Sequence, residues 1–174
     1  MRTDGYLPIA DYALIGDGHT SALVGRDGSI DWLCLPDAGS PPVLDRILDA
    51  EEGGCFELQP AEAFEATRAY RPHTNVLETT FTTSSGSVRV TDAMLTDAEQ
   101  RELVRLVDSV DGRVAMRWEF RPRSGFGLSE PHVELQLRSW DAGDCEFELG
   151  PGTEQRSCLR RRRRSVRTQS GDWN

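Results

Sequence analysis

Asp27 and Asp31 lie four residues apart, and Trp32 follows directly. Two carboxylates and an aromatic are the parts of an acid–base hydrolytic site. Such hydrolysis needs its carboxyls about 5–10 Å apart across a cleft. The intervening Gly28 makes the segment read as a hairpin instead, and one hairpin offers no cleft. Asp27 is explained by the turn, and Asp31 is the polar neighbour of Trp32. The histidines, His19, His73 and His132, stand alone without metal-ligand spacing. G-x-S-x-G, H-E-x-x-H and the phosphate-binding G-x-x-x-x-G-K-[ST] are all absent from the sequence. No catalytic residue, metal site or cofactor is therefore assigned. Trp32, Trp118 and Trp140 have the chemistry of stacking platforms, but packing is the commoner use of such residues.

The elements that would position these residues are strands. Ser21-Ala-Leu-Val-Gly25 and Ser29-Ile-Asp-Trp-Leu-Cys34 flank Arg26-Asp27-Gly28, and Asp-Gly between apolar runs signals a tight turn. Strict alternation puts Ile30, Trp32 and Cys34 on one face and Leu33 and Leu35 on the other. Trp32 is accordingly expected to be buried. Ser40 reads as an N-cap with Pro41 at the first helical position, and Val43, Leu44, Ile47 and Leu48 share a helical face. Gly53-Gly54 would end this short helix. Residues 55–60 alternate again. Residues 61–70 fit a loop or a helical turn. Two further hairpins follow, turning at Ser85-Gly86 and Asp111-Gly112. In the last of these strands Val114, Met116, Trp118 and Phe120 face one way. Residues 132–140 and 145–150 supply two more strand candidates. About ten strands with one helix point to an all-β antiparallel sandwich.

With 174 residues, 37% apolar and 28% charged, the chain fits one globular domain. No apolar run reaches the roughly 18 residues of a membrane span, and the N-terminal residues lack a secretory pattern. The expected setting is cytoplasmic, with Cys34, Cys55, Cys145 and Cys158 reduced. Residues 1–150 carry a net charge of −14, which argues against a nucleic-acid partner. Residues 151–174 carry +5 and include five consecutive arginines at 160–164. The alternation stops there, so 1–150 is the expected domain and 151–174 a disordered or truncated Arg-rich tail.

Several segments carry a resemblance: ADYALIGDGHTSALVGRDGSIDWLCLP from Ala10 to Pro36, LDRILDAEEGGCFELQP, YRPHTNVLETTFTT and SVRVTDAM. Over roughly residues 7–127 the chain resembles the N-terminal domain of bacterial glucoamylase- and trehalase-like enzymes, glycoside hydrolase family 15. The resemblance implies a non-catalytic super-β-sandwich ahead of a separate (α/α)6 barrel. In the family that barrel hydrolyses α-glucosides with inversion, using two glutamates. No segment here resembles it, so no catalytic residue carries over, and the barrel is expected to be supplied in trans or missing.

The chain departs from the family where L-P-R-F-D-S-P becomes Leu35-Pro36-Asp37-Ala38-Gly39-Ser40-Pro41 and where V-T-D-F-M becomes Val90-Thr91-Asp92-Ala93-Met94. The family's R-F-D-Y-G becomes Arg123-Ser124-Gly125-Phe126-Gly127. Weakened contact with a barrel or a sugar is one implication, and divergence without loss is the other. Arg26, Asp31, Trp32 and Ser40 are the candidate residues for binding a substrate or partner. The functions left open are a module that packs on a helical barrel, a stand-alone module binding α-glucosides, and a remnant.

Overall fold

The computed structural model describes residues 2–96, 101–123 and 126, and the backbone alone of 155–158 and 164–169. Its strands are β1 (Tyr12–Gly16), β2 (Ser21–Gly25), β3 (Ser29–Cys34), β4 (Pro42–Leu44), β5 (Cys55–Pro60) and β6 (Glu65–Tyr70). They continue with β7 (Leu77–Thr83), β8 (Gly86–Met94), β9 (Glu102–Gly112), β10 (Ala115–Arg121), β11 (Gln155–Cys158) and β12 (Arg164–Gln169). One sheet runs β1-β2-β3-β5-β10-β11, with β4 beside β3, and the other runs β12-β9-β8-β7-β6. All pairings are antiparallel. The expected sandwich is therefore the observed architecture. Two of the expected hairpins turn at Asp27-Gly28 and Ser85-Gly86, where the sequence placed them. The third does not close: after Asp111-Gly112 the chain crosses to the other sheet, so β9 pairs with β8 and β12 while β10 pairs with β5 and β11.

Alternating strands bury one side each, and the two buried sides meet. One core cluster centres on Ile15, Val24, Ile30, Leu33, Leu44 and Phe56, and the other on Leu58, Phe81, Val88, Val90, Val107 and Met116. Trp118 packs against both. Of the predicted inward face, Val114 and Met116 are buried, while Trp118 and Phe120 are half-buried against the core.

The helix expected after Ser40 does not form. Pro42–Leu44 is a strand that pairs with β3, and 46–48 is a turn. The same apolar spacing serves a strand that buries Leu44 and leaves Leu48 exposed. Asp45 closes the loop that follows. Its carboxylate accepts the Gly54 N–H at 2.8 Å, and the Asp45 and Arg46 N–H groups donate to the Gly54 carbonyl. Among the described residues the one helical segment is a 3-10 turn at Ile9–Asp11. The ambiguous 61–70 stretch contains β6.

In the tail, β11 pairs with β10 and β12 pairs with β9, where disorder was expected. The rest of 151–174 and the strand candidates at 132–140 and 145–150 lie outside the described residues, as do His132, Trp140 and Cys145.

Among the described residues β1 and β6 are edge strands, one from each sheet, and side chains close the gap between them. The Tyr70 hydroxyl accepts the Leu14 N–H at 2.9 Å and donates to the Leu14 carbonyl at 2.8 Å. Asn75 Nδ2 donates to the Gly16 carbonyl at 2.6 Å, and Arg68 Nη1 to the Asp11 carbonyl at 2.8 Å. An unpaired edge is a template for unwanted pairing, and these contacts block it. Tyr70→Phe removes one group that serves two backbone atoms. The expected loss is about 1 kcal/mol. It reads as a melting temperature about 2–4 °C lower at this chain length.

Candidate functional site

The outer face of the first sheet holds two of the four predicted residues. On β1 and β2, Ile15, Ala22 and Val24 point into the core, so Leu14 and Leu23 point out. Leu14 lies opposite Leu23, and Leu23 opposite Trp32. Val24 faces Ile30, which leaves Asp31 as the extra residue of a β-bulge. A bulge shifts the alternation by one residue. Leu33 therefore joins Ile30 in the core, and Trp32 lies half-buried on the outside. The expectation of a Trp32 buried on the Ile30 face is corrected by this bulge.

Asp31 is 0% exposed and surrounded by cations. Its Oδ2 accepts from Arg2 Nη2 at 2.8 Å and from the Tyr12 hydroxyl at 2.7 Å. Its Oδ1 accepts from Arg46 Nε at 2.9 Å and lies 2.8 Å from Arg46 Nη2. Arg46 continues to Glu57 at 2.6 Å, and Arg2 to Asp27 at 2.8 Å and Ser29 Oγ at 2.6 Å. Gln59 and Arg117 also approach Glu57. The network binds the N-terminal segment and the 45–54 loop onto the sheet. Asp27 and Asp31 share the one guanidinium of Arg2, so they act as counterions and not as an acid–base pair.

Burial by itself raises the pKa of Asp31, but Arg46, the Tyr12 hydroxyl and Arg2 outweigh it and hold the carboxyl below its usual range. Burial and the hydrogen bond to Asp31 push the Tyr12 phenol up. A depressed native pKa stabilises the fold above the unfolded value of about 3.9, and that stability is lost as pH falls through the native value. Urea unfolding at pH 7, 5 and 3 should show the parent's advantage over Asp31→Asn steady down to about pH 5. It should shrink below about pH 4. An advantage that grows on acidification would contradict the network.

The other two predicted residues stand elsewhere. Arg26 is exposed at the β2–β3 turn, its Nε 3.9 Å from Asp11 Oδ1. Ser40 lies past the other end of β3, where its N–H donates to the Asp37 carbonyl at 2.9 Å and its Oγ accepts the Asp37 N–H at 3.3 Å. The structure thus brings Asp31 and Trp32 to one face and leaves Arg26 and Ser40 apart.

Two further motif aspartates are also built in. Asp17 Oδ1 accepts the His19 and Thr20 N–H groups at 2.9 Å each, folding the β1–β2 loop. Burial opposes its ionisation, but these bonds and Arg101 hold its pKa down. Asp92 lies between the sheets, paired with Arg105 at 2.7 Å. Arg105 crosses the sandwich, donating to the Phe56 carbonyl at 3.0 Å and the Gly28 carbonyl at 2.8 Å. Its guanidinium sits 4.8 Å from the Phe56 ring centre. Arg2, Arg46 and Arg105 escaped the sequence reading. Only Arg105 left a signal, because it shares the parity of Leu103 and Val107. Among the described residues no three His, Cys, Asp or Glu side chains are grouped to hold a metal ion. Nor, among them, is any helix long and apolar enough to cross a membrane.

The family profile described as "Trehalase-like, N-terminal" matches residues 2–143. The chain belongs to the trehalase-like N-terminal family. This domain is 33% identical over 142 residues to a trehalase of Thermoplasma volcanium, covering 77% of this chain and 23% of the relative. It is 42% identical over 89 residues to a trehalase of Mycolicibacterium smegmatis, covering 51% of this chain and 13% of the relative. A trehalase of Mycobacterium tuberculosis matches over 89 residues at 40% identity, with the same two shares. The chain thus spans about a quarter or less of these curated relatives. No solved structure matches it. The trehalase-like domain places its motif residues Asp17, Asp31 and Asp92 in the scaffold, each buried and bonded within the sandwich.

Proposed function

We propose that this chain is the non-catalytic N-terminal module of a trehalase-like α-glucoside hydrolase of the glycoside hydrolase family 15 type. The observation that carries the reading is the use of its carboxylates. Asp17, Asp31 and Asp92 are buried and committed to backbone N–H groups or to arginines. None is left to move a proton or attack a sugar. The trehalases it matches are four or more times longer than the shared region, consistent with chemistry carried outside it. In this reading the module packs against a catalytic helical barrel. Residues 1–150 form the body of the module, and the Arg-rich 151–174 segment adds β11 and β12 to its two sheets. Two buried free cysteines, Cys34 and Cys55, suit a reducing, cytoplasmic setting.

The half-exposed Trp32 favours a second reading, a module that stacks an α-glucoside on this ring. The first reading predicts that the purified 174-residue chain leaves trehalose, maltose and p-nitrophenyl α-glucoside unhydrolysed. Turnover abolished by a single Asp or Glu substitution would place a catalytic site in this chain and overturn it.

A further inference from the structure

The row Leu14, Leu23 and Trp32 crosses three adjacent strands on the outer face of the first sheet. Leu14 is 53% exposed, and Leu23 and Trp32 are half-buried. None of the three belongs to either core cluster or packs against one. They form an apolar stripe that the described fold does not use.

Three observations limit what can cover it. First, the polar groups beside it are already occupied. Tyr12, Arg2 and Arg46 all point their donors at Asp31, and Arg46 also holds Glu57. The charges of that network are paired with one another, Arg2 with Asp27 and Asp31 and Arg46 with Asp31 and Glu57, so it offers no uncompensated charge to attract a charged partner. Second, the edge of β1 next to Leu14 is closed by Tyr70 and Asn75. A partner cannot join as an added strand and must approach the face with side chains. Third, the trehalases that share this domain have most of their length outside it, 77% in the Thermoplasma volcanium protein. That remainder is continuous with the domain.

We propose that the Leu14–Leu23–Trp32 stripe is the surface on which the remaining, catalytic part of a trehalase-like enzyme docks, through an apolar patch of its own. The proposal rests on the module reading above. The buried polar network beside the stripe makes it rigid, because Asp31 fixes the bulge that turns Trp32 outward. Apolar contacts at the centre of an interface carry most of its binding energy, and one charge placed there is poorly tolerated.

The test fuses the full 174-residue chain to the Thermoplasma volcanium trehalase in place of the matched region. Trehalose hydrolysis is then measured for the parent fusion, Leu14→Asp and Trp32→Ala. Leu14 carries the test because its exposure lets aspartate be accommodated, and the unfused Leu14→Asp chain should melt like the unfused parent. Leu14→Asp in the fusion is expected to lower soluble activity by roughly tenfold or more, as loss of one central contact does. An active parent fusion whose Leu14→Asp and Trp32→Ala variants are equally active overturns the docking face and leaves the module reading standing. A folded but inactive parent fusion overturns the module reading and the docking face with it. Quenching of the unfused chain's fluorescence by trehalose or maltotriose, absent in Trp32→Ala, overturns docking in favour of a sugar platform.

Discussion

Arg105→Met is expected to cost about 3–5 kcal/mol, the range seen when one partner of a buried ion pair is removed. At this chain length the melting temperature should fall on the order of 10 °C. The size follows from what Arg105 holds. It is 0% exposed, it neutralises Asp92, and it supplies donors to the Gly28 and Phe56 carbonyls in the opposite sheet. Methionine fills much of the volume but satisfies none of these acceptors. Asp92 would remain as a buried charge with its guanidinium gone. Changing Asp92 to Leu in the same chain removes that charge, so Arg105→Met/Asp92→Leu should recover part of the loss. Recovery should stay incomplete, since the two carbonyls still lack this donor. Thermal melts of the parent, both singles and the double variant decide it. A double variant no better than Arg105→Met would show that the carbonyl contacts, and not the ion pair, hold the sheets together.

The sequence disclosed the frame of this sandwich because its signals were local. Glycine turns and period-2 alternation each need only a few adjacent residues, and the hairpins at Asp27-Gly28 and Ser85-Gly86 formed where those signals lay. The turn at Asp111-Gly112 formed too, but it carries the chain from one sheet to the other, because the partners of β9 and β10 are distant strands. Even Arg105 was legible in principle, as an arginine at a core-facing position of Glu-Leu-Val-Arg-Leu-Val. What failed depended on distant partners. Val43, Leu44, Ile47 and Leu48 fit a helix equally well until β3 is available for Pro42–Leu44 to pair with. Trp32 changed faces because one residue, Asp31, was inserted without any turn or glycine to announce it. The cations that stabilise Asp31 come from 29 residues before it and 15 after it. No short motif encodes such a cluster. Of the four candidate residues, Asp31 and Trp32 lie together, but they separate in burial: the carboxylate is internal and the ring is half-exposed.

Gly28→Ala should be as damaging as Arg105→Met, and for a different reason. Gly28 has φ +85°, a conformation that costs an ordinary L-residue roughly 1–2 kcal/mol. The turn is also pressed against β5, since the Leu58 N–H donates to the Gly28 carbonyl at 3.1 Å. A Cβ at Gly28 would meet the Leu58 carbonyl oxygen and approach Phe81 Cζ to 3.0 Å. The oxygen is backbone and Phe81 is fully buried, so neither can move away without disturbing the core. Overpacking of this kind adds about 1–3 kcal/mol. Displacing the turn would also pull the Gly28 carbonyl from Arg105, coupling the two sites. The total expected is therefore about 2–5 kcal/mol. Gly18 provides the control, with φ +92° and nothing within 4 Å of an added Cβ. Gly18→Ala should lose only the backbone portion. Equal melting temperatures for Gly18→Ala and Gly28→Ala would mean that the turn is not wedged against β5. A Gly28→Ala melt several degrees below that of Gly18→Ala would locate the added cost in the contact between the first hairpin and β5.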